Sequence, residues 1–159
     1  MNLNKINLNK INNDCSYLNR KLYEKWLHVG SGNFHRAHQA YYLHRLLKKK
    51  LSNWTIIDFE IINSKRNKQF NNSIKKQDYL YTLLTKNKKI KKFILGSISK
   101  FFLNNKKNLI YIKKNIDNNI LKLVTITITE NGYHTDNGNF AKNNKDIQYD
   151  LKNDEFKFK

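Results

Sequence analysis

A chain of 159 residues, 39% hydrophobic and 13% aromatic, has room for one domain with a packed core and not for two full ones. Its net charge of +19 raises nucleic acid as a partner. But the lysines are scattered, from Lys48-Lys49-Lys50 to Lys113-Lys114, and Lys, Asn and Ile abound while Pro is absent, the drift that A/T-rich codons supply. The apolar runs are too short for a membrane span, the first residues carry no signal-peptide stretch, and the lone Cys15 excludes an internal disulfide and a cysteine-rich metal site, so a cytoplasmic protein is expected.

Residues 1–21 are polar, with Leu3, Ile6, Leu8 and Ile11 as scattered anchors, and predict a loosely packed arm before one domain over residues 22–159. Trp26-Leu27-His28-Val29 predicts a buried strand ending in the turn Gly30-Ser31-Gly32. Over residues 34–50, Ala37, Ala40, Tyr41, His44 and Leu47 recur at helical spacing. A second strand is predicted over residues 54–59, rich in β-branched and aromatic side chains, and a weak helix over residues 64–76. Two strands follow, over residues 79–85 and 92–98, joined by a charged turn, then a short helix over residues 109–116. The clearest strand runs over residues 121–129, its alternation placing Leu121, Leu123 and the threonines on one face. Asp136-Asn137-Gly138 is a turn signal, and the polar stretch beyond residue 142 predicts no element.

Strand, glycine turn, helix, strand opens a dinucleotide-binding α/β unit. A pyrophosphate is met by backbone N–H groups, and a helix start offers several without partners. Gly30 permits the sharp exit from the strand, and Gly32 lacks the Cβ that would collide with phosphates. His35 stands where the third glycine of the usual fingerprint belongs. On the glycines alone, an ordinary strand-to-helix turn explains the pattern equally well.

The residues that follow add a resemblance. Gly30-Ser31-Gly32-Asn33-Phe34-His35-Arg36-Ala37-His38-Gln39-Ala40 resembles the G-x-G-x-F-H-R-A-H-Q-A element of the long-chain mannitol dehydrogenase family. Gln77-Asp78-Tyr79-Leu80-Tyr81-Thr82-Leu83, Gly96-Ser97-Ile98 and the stretch from Thr125 through Glu130 to Tyr133 are similar to later segments of the same family, in the same order. The resemblance implies a Rossmann-like α/β domain, incomplete, with a mostly parallel sheet and an antiparallel hairpin. It also implies that Gly30, Gly32, Asn33, Phe34, His35 and Arg36 form a loop for NAD or NADP, and that Glu130 is an active-site carboxylate. His38 matches too, although a packed helix histidine accounts for it. His35 and His38 have no third ligand, and the family resembled is zinc-independent, so no metal is expected.

Two departures from the family stand out. Asp58 and Glu60 fall where the family has small residues, and Lys65-Arg66 where it has the acid that takes the adenosine ribose. Either carboxylate would suit the ribose hydroxyls of NAD, whereas Lys65 and Arg66 would favour the 2′-phosphate of NADP. The family's catalytic K-x-x-x-x-N-x-x-H motif is absent. The expectation is therefore the NAD(P)-binding part of a polyol dehydrogenase, inactive alone and completed, if at all, by a separate C-terminal catalytic chain. The alternatives are a remnant of a decayed gene and, as the lesser reading, a basic nucleic-acid-binding module.

Overall fold

A computed structural model describes residues 13–19, 24–86, 89–128, 133–136 and 138–153. The chain divides into two compact units, one running to Ile126 and the other from Thr127 onward.

The first unit is built on a four-stranded, all-parallel sheet. Its strands are β1 (Glu24–Val29), β2 (Trp54–Glu60), β5 (Ile98–Leu103) and β6 (Leu121–Ile126), in the order β5-β2-β1-β6. Each parallel neighbour requires a crossover. Helix α1 (Asn33–Ala37) and helix α2 (Gln39–Lys48) carry the chain from β1 to β2. Helix α4 (Lys106–Asp117) carries it from β5 to β6. Between β2 and β5 lie helix α3 (Lys65–Lys76) and an antiparallel hairpin of β3 (Tyr81–Lys86) and β4 (Ile90–Leu95).

The pleat sends alternate residues to opposite faces of the sheet. Ile56 and Ile98 join Ala40, Leu43 and Leu47 of α2, with Leu80, Ile94, Cys15 and Tyr17, in one core. Leu27, Ile57 and Phe59 join Ile112 of α4 in the other. Covering both faces accounts for the short, apolar strands of a parallel sheet.

The second unit contains a two-residue pairing of β7 (Thr135–Asp136) with β8 (Asn139–Phe140), followed by helix α5 (Lys145–Lys152). Gly138 has φ +80, the left-handed backbone that favours glycine in such a turn. Asn144 starts α5 by accepting from Asp146 N and Ile147 N. Among the described residues, no helix is long and apolar enough to cross a membrane.

Five expectations are corrected. The described part of the N-terminal arm, a 3-10 segment at Asn13–Asn19, is no loose appendage, because Cys15 and Tyr17 are each only 2% exposed. The helix expected over residues 34–50 breaks at His38, whose φ of −116 and ψ of −82 are not helical. The strand expected over residues 92–98 is the end of β4, then Gly96-Ser97, then the start of β5. Leu121 packs with the Leu27 core, whereas Thr125 bonds to Trp26 and His28. A register shift between Lys25 and Trp26 separates them and breaks the single face expected of β6. Helix α5 occupies the stretch where no element was expected, because Asn144 supplies a cap and Ile147 and Leu151 fall four residues apart.

Candidate functional site

The glycine turn leaves the C-terminal end of β1 beside the end of β2, where Gly30 N donates to Phe59 O at 2.9 Å. Gly30 has φ +91, a conformation that only glycine adopts without strain. Gly32 is different. It has ordinary extended backbone, φ −71 and ψ 178, and a Cβ built there would meet nothing closer than Gly30 O at 4.0 Å. The fold itself makes no demand for glycine at position 32. Helix α1 starts directly after it with no side-chain cap, which leaves its first N–H groups open to a ligand.

A cleft of about 280 Å³ opens against this turn. Ser31, Gly32, Asn33 and Arg36 form one wall, Glu60 stands at the end of β2, and Arg66, Asn67 and Phe70 of α3 close the other side with Phe101 of β5. Arg36 braces the turn. Its Nη1 donates to Ser31 O, its Nη2 to Asn33 Oδ1, and its guanidinium lies 4.3 Å from the Phe70 ring centroid. Tyr81 Oη donates to Arg36 O at 2.8 Å, tying the hairpin to α1. Burial lowers the pKa of Arg36, against the pull of Asp58, Tyr81 and Glu60, and the group stays cationic. Burial raises that of Tyr81, with Asp58 adding to it, so Tyr81 stays a neutral donor.

The β2–α3 connection is equally organised. Ser64 Oγ accepts from Asn67 N at 3.1 Å as the cap of α3, and Asn67 Nδ2 donates to Ile62 O at 2.8 Å. Glu60 Oε1 accepts from Ile62 N at 3.1 Å.

Beneath the turn lies a sealed polar cluster. His35 Nε2 is 3.1 Å from Asp58 Oδ1, both side chains have no solvent exposure, and the approach is too oblique to count as a hydrogen bond. His28 stacks on His35 with ring centroids 3.5 Å apart and planes 7° from parallel. His28 Nδ1 meets Thr125 Oγ1 at 2.8 Å and its Nε2 meets Gly30 O at 3.2 Å. Burial, then the neighbouring His35, lowers the His28 pKa to about 4, with Asp58 and the Gly30 carbonyl opposing.

The expected site residues therefore scatter. Gly32, Asn33 and Arg36 line the cleft, and Gly30 shapes the turn beside it. His35 and Asp58 are buried below it and turned toward one another. Phe34 is 63% exposed, stacks on His38 and is not part of the lining. Arg66 rather than Lys65 lines the cleft. His35 and His38 diverge, one sealed in and the other exposed. Among the described residues, no group of three His, Cys, Asp or Glu side chains is placed to hold a metal. Glu130 lies outside the described residues. Phe70 and Phe101, 5.4 Å apart, carry no motif and were not anticipated as lining. Only the helical position of Phe70, facing the sheet, hints at it.

Residues 24–154 match the sequence profile of the mannitol dehydrogenase Rossmann domain. The chain is 32% identical over 141 residues to the D-mannonate oxidoreductase of Escherichia coli (strain K12), covering 87% of this chain and 29% of that protein. It is 32% identical over 133 residues to the polyol:NADP oxidoreductase of Gluconobacter oxydans, covering 81% of this chain and 27% of that protein. Its fold superposes on mannitol 2-dehydrogenase of Pseudomonas fluorescens, solved as a ternary complex with NAD and D-mannitol, with a TM-score of 0.73 and 30% identity over 96% of this chain and 32% of that one. The chain thus spans about a third or less of the length of these proteins. The parallel sheet, the glycine turn and the profile match agree: the chain belongs to the mannitol dehydrogenase family, as its Rossmann domain.

Proposed function

We propose that this chain binds a nicotinamide dinucleotide at the Gly30-Ser31-Gly32 turn, as the cofactor-holding part of an oxidoreductase that interconverts a polyol and a ketose. Gly32 is the observation that carries this reading. Its backbone is ordinary and its Cβ space is empty of protein, so a glycine is needed there only for something that approaches from the cleft. A pyrophosphate does so, meeting the uncapped start of α1 beside Arg36.

The residues present fit such a group. Ser31 Oγ is buried against the cleft and has no hydrogen-bond partner, as suits a donor reserved for a phosphate oxygen. Arg36 holds Ser31 O and Asn33 in place, which presents the turn amides without rearrangement. Bound there, the cofactor would supply hydride chemistry. Substrate binding and the general base belong to the remainder of the family's length, and we assign them to a separate or continuing catalytic part. Soluble, non-membrane placement in the cytoplasm and the absence of a metal remain part of this reading.

The test compares wild type with Gly32→Val by titration with NADH and NADPH. The added Cβ has ordinary backbone and only Gly30 O, at 4.0 Å, beside it, and far-UV circular dichroism checks that the variant folds. Affinity for the preferred cofactor should fall at least about a hundredfold. Unchanged affinity in the variant contradicts this placement of the pyrophosphate.

A further inference from the structure

The cleft has a second charged wall whose chemistry differs from that of the turn. Helix α3 begins with Lys65 and Arg66, and no acidic side chain stands in its first turn. Cations at the positive end of a helix dipole work against it, and an anion seated among them removes the conflict. Arg66 lines the cleft, is exposed, and has no hydrogen-bond or ion-pair partner among the described residues. Arg36, by contrast, is already engaged with Ser31 O, Asn33 Oδ1 and the Phe70 ring. Of the two arginines, Arg66 is the one open to a ligand.

Position says which part of a dinucleotide it meets. In a β-α-β unit the pyrophosphate lies at the turn after the first strand, and the adenosine ribose lies beyond the end of the second. Arg66 follows the end of β2 by six residues, in the first turn of α3, whose start is fixed by the Ser64 cap and the Asn67–Ile62 bond. Glu60, the acid that would accept from ribose hydroxyls, is the last residue of β2 and is already an acceptor for Ile62 N. With two arginines against one carboxylate, the lining is cationic. A diol needs acceptors, whereas a phosphate monoester needs donors.

We propose that Arg66 selects the 2′-phosphorylated cofactor, its guanidinium holding the adenosine 2′-phosphate of NADP(H) at the start of α3. This inference rests on the cofactor reading above and narrows it. Arg66 is a specificity residue: it orients the adenosine end and takes no part in hydride transfer.

The chain is titrated with NADPH and with NADH, as wild type and as Arg66→Ala, with far-UV circular dichroism confirming the fold. Wild type should bind NADPH at least about tenfold more tightly than NADH. Arg66→Ala should lose about tenfold for NADPH while NADH changes less than about threefold. NADPH binding should also be less sensitive to salt in the variant than in wild type. Equal affinities in wild type, preference for NADH, or equal losses for both cofactors in Arg66→Ala would overturn the assignment and leave the cofactor site standing. Binding of neither cofactor by the folded wild type would overturn both.

Discussion

His28, His35 and Asp58 show how a position near a strand's end misleads when only the sequence is read. Asp58 and Glu60 were both expected as candidates for the ribose because each lies near the end of the second strand. Asp58 is not at the cleft. It shares the pleat face of Ile56, under the helices, and its carboxylate meets His35 instead. Glu60 shares that face one step further on and emerges in the cleft. The period of two was readable, but where the covering helix stops was not. The same burial has a consequence for pH. Folded His28 resists protonation down to about pH 4, whereas an unfolded histidine takes a proton near 6.5. The unfolded state therefore binds more protons between these values, so stability is present above pH 6.5 and declines as pH falls toward 4. Urea unfolding should show the protein less stable at pH 5 than at pH 6.5, by about 1 kcal/mol after allowance for solvent screening. His28→Gln, which does not titrate, should remove much of that difference. A wild type equally stable at both values would contradict the buried neutral His28.

At the scale of elements, the strand, glycine turn, helix and second strand were legible because apolar periodicity and Gly30 mark them. The entry into β5 was not. Gly96-Ser97 looks like the interior of one strand over residues 92–98, yet it is the point where the chain leaves the hairpin and joins the sheet beside β2. What fixes this bend is tertiary. Gly96 N donates to Tyr17 Oη at 2.9 Å, and Ser97 Oγ donates to Ala40 O at 2.7 Å. A Cβ at Gly96 would stand 2.8 Å from Leu80 Cδ2 and 3.2 Å from Leu18 Cδ2. Leu80 is fully buried and has little room to yield. Gly96→Val should therefore cost about 2–3 kcal/mol in equilibrium unfolding, from overpacking where three segments meet. A loss under about 0.5 kcal/mol would show that the 3-10 segment does not press on this bend. The bulge opposite Lys25 was likewise invisible, because a residue inserted into one ladder leaves no mark on local composition.

For the whole molecule, the loudest number in the sequence, the charge of +19, points away from the site. The cations that matter are Arg36 and Arg66, which face one cleft from two helices. The cleft itself was half legible: the turn residues and the Lys65-Arg66 pair could be named in advance, whereas Phe70 and Phe101 reach it only through the packing of α3 and β5 against the turn. The division of labour we propose also predicts that the chain alone turns over neither mannitol with NAD(P) nor fructose with NAD(P)H. Steady turnover above the rate without protein would place catalytic groups within these 159 residues.

The most direct test of the account is amide-resolved NMR of the folded chain as reduced nicotinamide dinucleotide is added. Saturable shifts should centre on Ser31, Gly32 and Asn33 and reach Arg66 and Asn67 across the cleft. Saturation without any response at the glycine turn, or no binding at all, would contradict a working cofactor site and leave the family relationship as ancestry alone.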